Sequence, residues 1–337
     1  MSDSLKLGII GAGAITQVAH LPVLRKLKGV EVVAICDTDL PKARALANRF
    51  DVRAAYSDIE ELLEYEKLDA IAICTPNHLH EPHVLASMAK GVHVLVERPI
   101  ALTAAGAQRI LKQADKRDRV LMVGMNHRYR SDVQTVRSFV QSGELGKVES
   151  IRGSWHVFRP SRAQLGWRQR RDEAGGGAML DLGQVVLDLG LWLAGNPTPV
   201  RVSACLYGRD GNRGVEHSGS ALVVCENGAS IFLDVTWHHV GEGERFGLGL
   251  RAGKGTAGIN PLHVWKELHG VPTNVVPTTG ATGRENAFTA SYRAEWAHFL
   301  AVLRGEAKPF DNQEQLTMHR VLDAIYKSAD EGKDIGL

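Results

Sequence analysis

At 337 residues the chain is longer than one ordinary core fills, so two domains are expected. Hydrophobic residues make up 44% and charged residues 23%, and 40 basic against 38 acidic side chains leave a formal net charge of +2. That balance excludes a polybasic binder of nucleic acid or of a membrane surface.

Cys36, Cys74, Cys205 and Cys225 form no C-x-x-C pair and read as buried thiols of a reducing, cytoplasmic compartment. The N-terminus has no basic region leading into a long apolar core, and no apolar run approaches the roughly 18 residues of a membrane span.

From residue 5 short apolar runs alternate with longer helical ones. LKLGII predicts a strand, followed by a helix to about Lys28; VEVVAICD, LDAIAICT, VHVLVE and VLMVGM predict further strands. Between them PKARALANRF, PHVLASMAKG and TAAGAQRILKQADKRD have helical periodicity. Continuous apolar strands spaced by amphipathic helices imply a parallel, doubly wound α/β sheet, here residues 1–125. After a helix over about 132–142 the texture changes to long alternating strands, VESIRGSWHVF, PVRVSACLYG, SALVVCE and ASIFLDVTWHH. Asn227-Gly228 between the last two predicts a hairpin with a type I′ turn. Residues 126–337 are thus expected as an α+β domain around a large, mostly antiparallel open sheet. Its helices fall at about 178–194, 287–304 and 312–330, the last opened by a capping-box-like Asp311 and Glu314. The glycine-rich segment 241–258 contains Gly253-Lys254, but Leu248 and Gly255 stand where a phosphate loop needs glycine and a hydroxyl, so strand ends and a tight turn are expected.

LGIIGAGAIT places Gly11 and Gly13 where the first strand meets the first helix, with Ala14 and Ile15 opening that helix. Gly11 allows the turn, and Gly13 lets backbone approach a pyrophosphate at the helix N-terminus. Asp37 closes the second strand 21 residues after Thr16, where a carboxylate accepts from ribose hydroxyls. It would repel a 2′-phosphate and no arginine immediately follows, so NAD is favoured over NADP. Thr16 replaces the third glycine of the fingerprint and is expected to loosen helix packing slightly.

With those pieces placed, the sequence resembles the Gfo/Idh/MocA family of nicotinamide-dependent oxidoreductases along nearly its whole length. The stretches that carry the resemblance are GIIGAGAIT, AICTPNHLH, GVHVLVERP, VGMNHRY, GELGKV, GWR, GGGAMLDLGQVVLDLGLWLAG and the tail from AEWAHFL to AIYKSADEGKDI. The resemblance implies a Rossmann domain joined to an open-sheet domain, and hydride transfer with sugars, cyclitols or related polyols. It also implies that Thr75, Pro76, Asn77 and His80 line the nicotinamide side of the cofactor. No metal is expected at His78, His80 and His83, which lack a third anionic ligand at suitable spacing.

Two positions depart from the family pattern. VERPI matches its Glu-Lys-Pro motif, in which Glu97 and Pro99 shape a turn and the lysine touches the nicotinamide ribose and the substrate hydroxyl; here that position is Arg98. Lysine can share a proton near neutral pH, whereas arginine holds its own, so Arg98 is expected to orient and polarise but not to act as a base. The family's Asp-x-Gly-x-His-x-x-Asp signature is met by Asp181, Gly183 and Asp188, with Val185 where histidine should stand. Positions 181, 185 and 188 would share one helix face, leaving an apolar gap beside two carboxylates. Asp181 is the surviving candidate for the hydroxyl proton, and burial beside Val185 would make it a stronger base. Asn126, Arg168, Asp188 and Val185 are the other expected substrate contacts, and His156, His238 and His239 are further histidines that could reach the substrate. The three glycines at 175–177 are expected to permit an unusual turn before the helix.

The leading reading is therefore an NAD-dependent oxidoreductase of a sugar-like substrate with altered catalytic residues. The alternative is a non-catalytic member that binds nucleotide and ligand. Apolar alternation in ALVVC and SIFLDV further predicts a homo-oligomer, a dimer or tetramer, through the second domain's sheet.

Overall fold

The computed structural model describes residues 4–160, 166–208, 214–276 and 285–337. By contact the chain divides into two compact units, Met1–Tyr129 with Glu285–Gln315, and Arg130–Arg284 with Leu316–Leu337.

In the first unit the apolar runs become β1 (Leu5–Ile10), β2 (Val30–Cys36), β3 (Ala54–Tyr56), β4 (Ala70–Ile73), β5 (His93–Glu97) and β6 (Leu121–Gly124). They pair in parallel in the order β3-β2-β1-β4-β5-β6. Strands with consecutive buried residues, such as Ala70–Ile73, need cover on both faces, which is why the intervening segments are helices. The order reverses between β1 and β4, so the loops after β1, β2 and β4 converge at one switch point. Backbone bonds tie them there: Gly11 N–H donates to Cys36 O and Cys74 N–H to Ile10 O.

One element arrives from far along the sequence. The helix Ala287–Leu303 buries Tyr292, Trp296 and Phe299 in the cluster that holds Leu7, Ile9, Leu21 and Leu24. Residues 285–315, which sequence periodicity alone placed with the second domain, therefore belong to the nucleotide-type unit.

The second unit is built on β7 (Val148–His156), β8 (Pro199–Tyr207), β9 (Ser218–Cys225), β10 (Ser230–Thr236), β11 (Arg245–Ala252), β12 (Gly255–Ile259), β13 (His263–Leu268), β14 (Val271–Asn274) and β15 (Ile335–Gly336). Their order is β14-β13-β12-β11-β7-β10-β9-β8-β15, antiparallel except for the parallel pair β7 and β10. The predicted hairpin forms between β9 and β10, but only Gly228 takes a positive φ, so the turn is not type I′. Gly228 N–H donates to Cys225 O and the Asn227 side chain accepts from Ala229 N–H, an αL glycine closing an ordinary turn instead. The glycine-rich segment forms β11 and β12 around Gly253-Lys254.

Helix packs on one face of this sheet. The run Arg171–Leu193 is long and apolar enough by composition to cross a bilayer, contrary to the sequence reading, but 94% of its most apolar window is buried inside the fold. It is a core helix. A second correction concerns the cysteines, because Cys205 on β8 is exposed while the other three are buried.

Candidate active site

The loop after β1 has the shape a dinucleotide requires. Gly11 has φ +98°, and a Cβ there would lie 2.5 Å from Cys74 O, so only glycine fits. A Cβ on Gly13 would meet nothing within 4 Å, which leaves open room beside the backbone for a bulky ligand group. Ala14 and Ile15 follow as the first helical turn. Thr16, expected to loosen the packing, instead secures it: its buried hydroxyl donates to Gly11 O at 2.5 Å, and the helix widens into a π turn over Thr16–His20.

Asp37 stands at the end of β2 as the fingerprint requires. Its Oδ2 accepts from Ala12 N–H at 2.7 Å and Oδ1 from Asp39 N–H at 3.0 Å, which fix the carboxylate against the glycine loop. Sequence reasoning looked only for an arginine directly after Asp37 and missed Lys42. That lysine, in the first turn of the helix Leu40–Phe50, places Nζ 3.2 Å from Asp37 Oδ2.

The segment after β4 starts with Thr75 and Pro76, and Asn77 opens the short turn Asn77–Leu79. All three are half-buried, whereas His80 behind them is 1% exposed. Its ring bridges two carbonyls, Nδ1 to Pro99 O at 2.6 Å and Nε2 to Thr75 O at 2.9 Å. His80 thus ties the 75–77 loop to the Glu97-Arg98-Pro99 turn from beneath. Burial lowers its pKa, and the two carbonyls oppose that by favouring the doubly protonated ring. Burial likewise pushes His83, near Thr75 Oγ1, down to about 4.

Under the Glu97-Arg98-Pro99 turn lies a polar network that no motif announces. Glu97 Oε1 accepts from His20 Nε2 at 3.0 Å and from Tyr292 OH at 3.3 Å, and Trp296 Nε1 donates to His20 Nδ1 at 3.0 Å. Burial resists charge on His20 while Cys74 and Glu97 favour it. Geometry decides, because an indole N–H can only donate: Nδ1 is the acceptor, and the single proton sits on Nε2, aimed at Glu97. That bond and the Arg98 charge hold Glu97 below the usual carboxylate range against the effect of burial. Glu295 sits in the same neighbourhood, 0% exposed, and neither carboxyl oxygen meets a hydrogen-bond partner among the described residues. Burial, with Glu97 as a negative neighbour, raises its pKa well above the ordinary value, so it is a neutral acid. Asn126, expected to open the second domain, is buried in this first unit and donates to Ser291 Oγ.

In the second unit Asp181 lies in the π turn Met179–Gly183 that precedes the helix Gln184–Leu193. Asp181 thus belongs to the π turn, and Val185 and Asp188 to the α-helix that follows it. Val185 and Asp188 are 2% and 4% exposed, inside the core, while Asp181 is about a quarter exposed. Asp181 is not buried beside Val185. Its Oδ2 accepts from Arg159 Nη2 at 2.6 Å and from Trp237 Nε1 at 3.0 Å, and the Arg159 guanidinium stacks over the Trp237 ring at 4.5 Å. This clamp orients the carboxylate as an acceptor, and sequence reading found neither Arg159 nor Trp237 because strand ends carry no signature. Arg168 is exposed and lies over Trp167 at 4.4 Å. His156 pairs with Asp234 at 2.8 Å, and His238 stacks on His217 with centroids 4.1 Å apart.

The glycine cluster holds Asp181 in place. A Cβ on Gly177 would lie 1.9 Å from Glu216 O, and one on Gly176 would lie 1.8 Å from Tyr326 OH. The space they leave lets buried Glu216 accept, on Oε1, from Gly177 N–H, Met179 N–H and Tyr326 OH at 2.9 to 3.0 Å. It satisfies the amides that open this helical run.

Comparison with known proteins agrees with this geometry. Residues 5–125 match the family described as "Oxidoreductase family, NAD-binding Rossmann fold", and residues 133–254 match the "GFO/IDH/MocA C-terminal domain". An uncharacterized oxidoreductase of Rhizobium meliloti, ORF334, is 30% identical, covering 98% of each chain. The chain belongs to the Gfo/Idh/MocA oxidoreductase family. Within it, D-glucoside 3-dehydrogenase of Escherichia coli is 25% identical over 100% of this chain and 98% of its own. GenD2 from gentamicin A biosynthesis, solved with NAD, shares the fold with a TM-score of 0.84 at 25% identity, over 100% of this chain and 97% of its own. Levoglucosan dehydrogenase, solved with NADH and levoglucosan, has a TM-score of 0.89 at 20% identity over 99% of both chains, a likeness of fold. The Rossmann unit of this Gfo/Idh/MocA chain is therefore an NAD-binding type, and the chain is an oxidoreductase whose relatives are sugar and inositol dehydrogenases.

Proposed function

We propose that the protein transfers a hydride between a nicotinamide cofactor, NAD in preference to NADP, and a hydroxyl-bearing carbon of a sugar, cyclitol or sugar acid, with altered catalytic residues. The observation that carries the reading is the Gly11–Asp37 edge: a turn only glycine can make, open space at Gly13, and a fixed carboxylate where ribose hydroxyls would donate. Bound there, the nicotinamide would accept or return the hydride. Thr75, Pro76, Asn77, Glu97 and Arg98 belong to the loops that would hold its reactive end, with His80 and His20 bracing them from below.

Arg98 keeps its positive charge and polarises the substrate oxygen without exchanging a proton. Asp181 accepts the hydroxyl proton in oxidation, and returns it in reduction, from an orientation set by Arg159 and Trp237. Arg168 supplies a further cation for substrate hydroxyls or a carboxylate. The core placement of Val185 supports an apolar replacement of the family histidine, not an open position waiting for another group. The protein works in the cytoplasm as a homo-oligomer.

The simultaneous presence of Arg98 and Val185 also supports a second reading, a member that binds nucleotide and ligand without turnover. One panel separates them: NADH formation and consumption across sugars, cyclitols and sugar acids, for the native protein, Asp181→Asn, and the Arg98→Lys, Val185→His double variant. Native turnover that falls about 10²- to 10⁴-fold in Asp181→Asn is the expected result. Turnover only in the double variant would sink the catalytic reading in favour of the second.

A further inference from the structure

We infer that Lys42 is a cofactor-specificity residue that gives this NAD-preferring site a measurable acceptance of NADP; the inference rests on the nucleotide reading above. Asp37 alone would exclude a 2′-phosphate by charge repulsion. Asp37 is not alone, because Lys42 Nζ stands 3.2 Å from Oδ2, the same oxygen that Ala12 N–H holds at 2.7 Å.

The position of that ammonium is built in. Lys42 N–H donates to Asp39 Oδ1 at 3.1 Å, capping the helix Leu40–Phe50, and Asp39 N–H donates to Asp37 Oδ1 at 3.0 Å. The lysine therefore rises from a helix start that is joined to Asp37 through Asp39. Its side chain is 41% exposed and that of Asp37 is 13% exposed, so the cation is the more accessible partner to a group arriving from solvent. Opposite charges in contact cancel most of each other's field at longer range, which reduces the repulsion a 2′-phosphate would meet. A phosphate at the ribose 2′ position can then pair with Nζ, while NAD must share Oδ2 with it.

These two roles have opposite signs for the two cofactors. With Lys42 removed, the NAD ribose hydroxyls no longer compete for Oδ2, whereas the NADP phosphate faces an uncompensated carboxylate. Dissociation constants for NADH and NADPH, from calorimetry on the native protein, Lys42→Ala, Lys42→Arg and Lys42→Glu, provide the test. The native protein is expected to bind both, NADH more tightly. Lys42→Ala should weaken NADPH at least tenfold while NADH binds as tightly or more so. Lys42→Arg should keep the native ratio, and Lys42→Glu should widen the gap beyond that of alanine. Parallel shifts for both cofactors, or native binding of NADH with none of NADPH, would overturn the inference and leave the NAD reading standing. Native binding of neither nucleotide would overturn both. Circular dichroism on each variant separates loss of fold from loss of charge.

Discussion

Glu295 is a carboxyl that the fold keeps from water and that meets no hydrogen-bond partner among the described residues, beside a carboxylate that is ionised. An acid whose folded-state pKa is raised contributes its full stability below its ordinary value of 4.5, and loses it as pH climbs through the folded value. Glutamine has the same shape and never ionises. The melting temperature of Glu295→Gln relative to native should therefore become more favourable between pH 5 and pH 8. The change should grow steadily across that window, because the native protein loses stability as its unfolded-state carboxyl ionises and the variant does not. A difference that stays constant with pH would mean that Glu295 is already ionised and paired. None of this was readable in AEWAHFL, because a glutamate at helical spacing looks the same whether its neighbours are water or Glu97 and His20. The place of Asp37, in contrast, was legible by itself, since its position beside the glycine turn follows from distance along the chain.

At the scale of elements, the glycine cluster shows how a turn positions a functional group. Gly176 and Gly177 were expected to allow an unusual turn; the structure supplies the reason, which is the close passage of Tyr326 and the Glu216 backbone. Gly177→Ala forces that contact apart and should destabilise the protein by about 1–3 kcal/mol in urea melts, as overpacking a tight interior does. It should also disturb Asp181, whose N–H donates to Gly177 O at 2.9 Å. A variant as stable as native would show that the turn has slack. Partners such as Glu216 and Arg159 escaped the sequence reading because they lie far along the chain and carry no motif. The π turn at Met179–Gly183 escaped it too, since composition does not distinguish a π turn from an α turn.

For the whole molecule, the proposed homo-oligomer is tied to the open face of the second sheet. Leu222 and Phe232 sit side by side there, 37% and 40% exposed, with Ser203 and Arg152 as their flanking partners in register. The row on one side holds Ser220, Asp234 and Ser154, the row on the other holds Val224 and Ser230, and exposed Tyr207 lies further along the same face. A stable interface removes about 800 Å² from each partner, so the flanking rows must take part. Light scattering should give a dimer or tetramer for the native protein and a monomer for Phe232→Glu with its melting temperature kept. A native monomer would remove the proposal.

Sequence by itself determined the architecture and the turn at which Gly11, Gly13 and Asp37 meet. Alternating periods of hydrophobicity specify a parallel sheet followed by an antiparallel one, and Gly11, Gly13 and Asp37 act within a stretch of chain short enough for local spacing to set their geometry. Only the tertiary structure decided that residues 285–315 complete the first unit, that Asp181 is clamped by Arg159 and Trp237, that Val185 lies in the core, and that Lys42 meets Asp37. Burial and charge pairing depend on which atoms are brought close through space, and most of these partners are separated by turns of chain whose folding no local pattern records.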